Sequence, residues 1–192
     1  MDLLVIGLGN PGRKYENNRH NVGYKVVELL SRELDLSYKK RFLKPYLYCY
    51  SEYKGNRIVL VKPLTYMNLS GNIFPDLLKK FKMKRENLLV LCDNLDLPPG
   101  RCKFKLKGSP AAHNGLKSIS GVLESSEYMR IFIGIGHPGH RDLVRDYVIG
   151  DPDEQEWPLY GDSYRACAKA VLEICDDKLD KVMNELNRKK PS

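Results

Sequence analysis

Leu3-Leu-Val-Ile-Gly-Leu-Gly-Asn-Pro-Gly-Arg-Lys-Tyr-Glu-Asn-Asn-Arg-His-Asn-Val-Gly23 is the stretch from which the fold can be read. Its first residues, Leu3 to Ile6, form an apolar run suited to a buried strand. Within about fifteen residues there follow a glycine-rich turn, an amide (Asn10), a phenol (Tyr15) and an imidazole (His20). Polar groups placed there emerge at the carboxyl end of a strand, where ligands bind in open α/β sheets. Gly7 to Gly12 also matches G-x-G-x-x-G, the dinucleotide fingerprint. That fingerprint needs a helix to start inside the glycines, so that its amino end meets a pyrophosphate. Here Arg13 to Arg19 has no helical apolar repeat, and the helical pattern begins only near Val22. No acidic residue ends a second strand about twenty residues on, so a nicotinamide or flavin site is disfavoured.

Short apolar runs and helical patterns alternate along the rest of the chain. Leu3 to Ile6, Tyr46 to Tyr53, Arg57 to Val61, Leu88 to Leu91, Arg101 to Leu106 and Arg130 to Ile135 read as strands. Lys54-Gly-Asn56 is a hairpin turn between the second and third. Helical repeats run through Val22, Val26, Leu29 and Leu30, through Leu77, Leu78 and Phe81, and through Cys167 to Cys175 and Leu179 to Leu186. The expected fold is α/β: a single domain over residues 1–192, with a mixed, mostly parallel twisted sheet flanked by helices on both faces. One antiparallel hairpin sits beside the parallel strands.

Composition narrows the function. The 192 residues, 42% hydrophobic, can bury one core, and no apolar run approaches the roughly 20 residues of a membrane helix. The amino terminus has no secretory pattern, so a cytoplasmic protein is expected. Five cysteines without C-x-x-C spacing fit buried thiols in a reducing compartment, and zinc spacing is absent. The net charge of +8 is concentrated: Ser37 to Lys62 carries seven basic residues against Glu52 alone, and Lys79 to Arg85 forms a second cluster. Such a surface suggests a polyanionic partner. The sharpest pattern is Arg101-Cys-Lys-Phe-Lys-Leu-Lys107. On a strand it gives a cationic face (Arg101, Lys103, Lys105, Lys107) and an apolar face (Cys102, Phe104, Leu106), with like-sided residues roughly 6.6 Å apart, near the spacing of backbone phosphates.

Four strand ends or turns present unusual polar groups: Asn10 to His20, Tyr66-Met-Asn68, Asp93, and His113-Asn114. Asp93 follows the apolar run ending at Cys92, so its carboxylate emerges at a strand end. A carboxylate that accepts from one ring nitrogen of His20 fixes the tautomer and leaves the other nitrogen free to take a proton. No G-x-S-x-G serine or plausible reactive cysteine accompanies the pair, which leaves water as nucleophile and His20 as general base. The amides Asn10, Asn68 and Asn114 bind carbonyl and hydroxyl groups without adding charge. These residue types fit hydrolysis of a neutral carbonyl derivative on an anionic carrier, with a purely structural His20 as the alternative.

Taken in order, Gly7-Leu-Gly-Asn-Pro-Gly12 with Tyr15, Arg19-His-Asn21, Lys62-Pro-Leu-Thr-Tyr-Met-Asn-Leu-Ser-Gly71, Asp93-Asn-Leu-Asp-Leu-Pro-Pro-Gly100, His113-Asn-Gly-Leu-Lys-Ser118 and Gly134-Ile-Gly-His-Pro-Gly139 resemble the bacterial-type peptidyl-tRNA hydrolases. The resemblance runs from Leu3 to about Gly150. It implies cleavage of the ester between a peptide and the terminal ribose of tRNA, with peptidyl-tRNA as partner and no cofactor; the residue spacing and composition add no metal and no membrane, and nothing in the sequence calls for more than a monomer. The resemblance gives His20 the proton and makes Asp93 its support. Asn10 distinguishes blocked from free aminoacyl ends. Tyr15, Tyr66, Asn68 and Asn114 match positions contacting the tRNA end, while Met67 and His113 line the peptide side. Three departures stand out. Lys107-Gly-Ser-Pro-Ala-Ala112 replaces a glycine-dense loop, implying a stiffer gate. Asn18 replaces a threonine, and both can cap a helix. Phe132 stands where a basic residue is usual, so a phosphate clamp rests on Lys105, its stripe neighbours and Arg130. Non-hydrolytic RNA-splicing relatives with this fold are the competing class; the lack of a transit segment or added tails favours the enzyme.

Overall fold

The structure, a computed structural model, describes residues 1–188. In chain order the elements are β1 (Leu3–Gly7), α1 (Val22–Glu33), β2 (Lys39–Lys40), β3 (Tyr46–Tyr53), β4 (Asn56–Pro63), α2 (Phe74–Phe81), β5 (Leu88–Asn94), β6 (Cys102–Lys105), α3 (Asn114–Leu123), β7 (Met129–Gly134), α4 (Val144–Ile149), α5 (Trp157–Cys175) and α6 (Leu179–Asn187). The strands form one seven-stranded sheet in the order β2-β3-β4-β1-β5-β7-β6. β4, β1, β5 and β7 run parallel, and β3 and β6 run against them. The expected single-domain α/β fold, mostly parallel and covered on both faces, is what the chain adopts.

The burial pattern explains the sequence pattern. β1, β5 and β7 are covered above and below, which is why they read as near-continuous apolar runs, interrupted in β7 by the buried Arg130, and not as alternating ones. Leu3 and Val5 face a core shared with α1, α5 and α6. Leu4 and Ile6 face a second core with Phe74 and Leu77 of α2 and Leu116 and Ile119 of α3. The β3–β4 hairpin turns at Lys54 and Gly55, whose φ values of 50° and 78° give the two positive angles that a tight hairpin requires. The sequence pattern carried one antiparallel hairpin; β6 adds an antiparallel edge on the far side. Asn187 of α6 closes that edge, accepting from the Phe104 N–H at 2.9 Å and donating to its carbonyl at 3.1 Å.

Two features place the loop after β1 at the centre of the molecule. The chain leaves β1 to build β4 on one side and later β5 on the other, so the end of β1 is a topological switch point. Helix α1 then returns in near contact with the strands: a Cβ on Gly23 would lie 2.4 Å from the Leu91 carbonyl oxygen. Only glycine permits that approach. Among the described residues no helix is long and apolar enough to cross a membrane, and all five cysteines are buried thiols.

Candidate active site

His20 lies in a single 3₁₀ turn, Arg19–Asn21, that leads directly into α1. Asp93 is near the end of β5, and His113 caps the amino end of α3. These three residues, far apart in sequence, converge. Asp93 Oδ1 accepts from His20 Nδ1 at 2.6 Å and from His113 Nε2 at 3.0 Å. The tautomer of His113 follows from its capping role: Nδ1 accepts from the backbone N–H groups of Gly115 (3.1 Å) and Leu116 (3.3 Å), so the ring proton is on Nε2. His20 donates from Nδ1, which leaves its Nε2 as a free lone pair.

The electrostatics follow from burial and pairing. Burial works against a charged His20, but the Asp93 carboxylate outweighs it and raises the imidazole above its ordinary value of 6.5. Burial likewise works against ionised Asp93, but the two imidazoles and their hydrogen bonds hold it well below the usual carboxylate range. The three side chains could be grouped as metal ligands. Their chemistry fits that poorly, because His113 Nε2 is committed as a hydrogen-bond donor and Asp93 Oδ1 already accepts twice.

Asn10 stands beside this cluster. Its N–H donates to Asn21 Oδ1 at 2.8 Å, and Asn21 Nδ2 returns a bond to the Asn10 carbonyl at 3.0 Å. Asn10 Oδ1 accepts from the Met67 N–H at 2.8 Å, so its amide nitrogen is the group left for a ligand. Met67 is buried in the 3₁₀ turn Met67–Ile73, against Gly115 at the start of α3. Tyr66 and Asn68 on either side of it are exposed, as is Asn114. Tyr15 is half-buried, with the Lys14 amine 4.6 Å from its ring centre. Lys105 is not part of the cluster. It pairs with Arg130, whereas Cys102 pairs with Ile133, the partner of Asp93. Lys105 therefore sits about 10 Å further down the sheet edge, three residues away at ~3.3 Å each.

Several expectations need correction. Arg130 is fully buried: it donates to the carbonyls of Ser109 and Ser126, both at 2.9 Å, and lies over Tyr128. β7 is an inner strand, so Arg130 straps the 107–112 loop from beneath and cannot reach a phosphate. Leu106 is exposed and lies beyond the end of β6, outside the apolar face. Ala111 has φ 48°, a left-handed angle, so this alanine strains the loop instead of stiffening it at a compatible site. Asn18 holds the cap position, yet its amide makes no capping bond and both its polar atoms are buried without a partner among the described residues.

Arg19 carries no role in the sequence pattern beyond its motif, but it clamps the site. Its N–H donates to the Gly150 carbonyl at 3.0 Å, and its guanidinium bonds the Asp151 carbonyl at 2.7 Å and Glu156 at 2.8 Å. The same group lies 4.2 Å from the Tyr147 ring centre. The acidic stretch after α4 thus anchors the residue preceding His20, a link with no local sequence signal.

Fold and site together define an α/β enzyme with its polar groups gathered at the carboxyl ends of parallel strands. The model of the family described as Peptidyl-tRNA hydrolase matches residues 4–192. The peptidyl-tRNA hydrolases of Borrelia turicatae and Bacillus licheniformis are 42% and 44% identical over 187 residues, covering 97% of this chain and 98% and 99% of theirs. The crystal structure of peptidyl-tRNA hydrolase from Acinetobacter baumannii is 31% identical with a TM-score of 0.92, covering 100% of this chain and 97% of that one. The chain belongs to the peptidyl-tRNA hydrolase family.

Proposed function

We propose that the protein hydrolyses the ester between a peptide, or an N-blocked aminoacyl group, and the 3′-terminal ribose of tRNA. One observation carries the chemistry: Asp93 Oδ1 accepts a hydrogen bond from the Nδ1–H of His20 at 2.6 Å, which leaves Nε2 free as the acceptor. Water donates a proton to Nε2 as its oxygen attacks the ester carbonyl carbon. The imidazolium so formed is stabilised by the carboxylate. Collapse of the tetrahedral intermediate breaks the bond to the ribose oxygen, which takes the proton from His20. Free tRNA and a peptide acid result, and no step requires a cofactor.

The surrounding groups fit that substrate. The Asn10 amide nitrogen, oriented by the Met67 N–H bond to its oxygen, donates to a carbonyl on the acyl side. Tyr15, Tyr66, Asn68 and Asn114 present neutral donors and acceptors to the terminal nucleotide. Met67 supplies an apolar wall, and His113 meets the peptide while sharing Asp93. Lys105, with Lys103 beside it on the outer face of β6, contacts the RNA backbone.

Hydrolysis of N-acetyl-aminoacyl-tRNA tests the proposal. Wild type should cleave it, and His20→Ala should lose about 10²- to 10⁴-fold in turnover while retaining tRNA affinity. Tight RNA binding with no cleavage by either protein would select a non-catalytic RNA-binding role instead.

A further inference from the structure

Cys102 and Cys167 lie 65 positions apart in the chain, yet their sulfurs are 3.2 Å apart, with the Cys167 thiol donating to Cys102. Cys102 opens the edge strand β6, and Cys167 lies in α5, in the same core as the buried side of that strand. Ser163, one helical turn before Cys167, turns the same face of α5 toward β6: its carbonyl accepts from Cys102 Sγ at 3.7 Å. The two thiols differ in access. Cys167 is fully buried, whereas Cys102 is 8% exposed at the sheet edge. They differ in charge as well. The hydrogen bond from Cys167 outweighs burial and holds the Cys102 thiol below its ordinary value, while Cys49, Cys92, Cys167 and Cys175 are all pushed up. Cys102 thus combines a contact that favours the thiolate, a place at the edge and a second sulfur within reach. A core needs only apolar volume there; two sulfurs in contact add a chemistry that alanine or valine would not.

We propose that Cys102 and Cys167 form an oxidative modification site, at which hydrogen peroxide converts the two thiols into a disulfide that fastens the β6 edge to α5. The Cys102 thiolate attacks one peroxide oxygen: an S–O bond forms, the O–O bond breaks and hydroxide leaves, to be protonated to water. The Cys167 sulfur then attacks that of Cys102: the S–S bond forms, the S–O bond breaks and water leaves with the Cys167 proton. Two electrons pass from the sulfurs to the peroxide, which ends as two waters. Closing the sulfurs to the ~2.05 Å of a disulfide takes a shift of about 1 Å, shared by two side chains. The cationic face is left intact, because Cys102 and Phe104 are buried while Lys103 and Lys105 are exposed. The effect is on rigidity. Cys102 pairs with Ile133, which pairs with Asp93, so the new bond anchors the row of the sheet that carries the carboxylate. In a reducing compartment such a pair rests as thiols, and a disulfide there is transient and redox-responsive.

The test treats the folded wild-type chain with hydrogen peroxide and counts free thiols after denaturation. The five thiols should fall by two, and digestion should yield one cross-linked peptide pair joining Cys102 to Cys167. The disulfide closes a long loop, so the oxidised protein should melt about 5–10 °C higher, and dithiothreitol should reverse the gain. Cys167→Ser should stop the reaction at a Cys102 sulfenic acid, trapped by dimedone, with no rise in melting temperature. Cys102→Ser should give neither product. Five free thiols after treatment of wild type, or a disulfide that maps to another pair, would overturn the proposal. So would a Cys102–Cys167 bond that forms only when the oxidant is added in urea, since the native contact would then play no part. A native disulfide with an unchanged melt would overturn the fastening of β6 to α5.

Discussion

Asp93 Oδ1 serves two imidazoles at once, and each donor has a separate consequence. His113 links the carboxylate to the fold, because its other nitrogen caps α3. His113→Ala should therefore cost about 1 kcal/mol of stability as a lost cap, with turnover falling as Asp93 loses one of its two donors. His113→Asn separates these effects: an asparagine at that position can still cap, so the thermal melt should recover while turnover does not. Recovery of both would leave the Asp93 contact without a role. At this scale the sequence was partly legible. His20 and Asp93 stood out because each follows an apolar run or opens a helix at a strand end. The sharing of one oxygen was not, since it depends on the start of α3 folding back over β5. Arg130 was misplaced for a related reason: a basic residue at the start of an apolar run does not tell whether both faces of its strand are covered.

Among the elements, those set by burial were readable and those set by context were not. β1 and β5 announce themselves as continuous apolar runs, β7 as one interrupted by Arg130, and the β3–β4 turn by its lysine-glycine pair. β2 is two exposed lysines, visible only through pairing with Leu47 and Tyr48. α3 contains Gly115, Ser118, Ser120 and Gly121, weak helix formers held by packing of Gly71 against Ser118. α4 has no buried residue to create a periodic signal. The loop before α3 yields a prediction. Ala111 has φ 48°, and Arg130 beneath the loop fixes the Ser109 carbonyl. Ala111→Gly should relieve the left-handed angle and raise stability by up to about 1 kcal/mol, measured by denaturant unfolding. A destabilised glycine variant would show that the loop's rigidity, and not its strain, dominates.

Across the whole molecule, topology sets the candidate site apart from the cationic sheet edge. The sheet order sets the dyad near the middle, the exposed lysines of β6 at one edge and the β2–β3 loop toward the other. Charge reversal Lys105→Glu should raise KM for acyl-tRNA and reduce the slope of log affinity against log salt by about one phosphate contact, with kcat nearly unchanged. A wild-type salt response would remove Lys105 from RNA binding. The same architecture underlies the proposal that His20 is the base. The switch point delivers His20 to the end of β5, where burial opposes its charge and Asp93 more than compensates. The pH dependence of kcat/KM for wild type and Asp93→Asn is the most direct test. A base must be neutral, so wild-type activity should rise through an apparent pKa above 6.5. In Asp93→Asn the rise should move to lower pH, because the anion that raises the imidazole is gone, and the plateau should drop by about 10²-fold or more. An unshifted profile with wild-type turnover would contradict an imidazole supported by Asp93 as the group that deprotonates water.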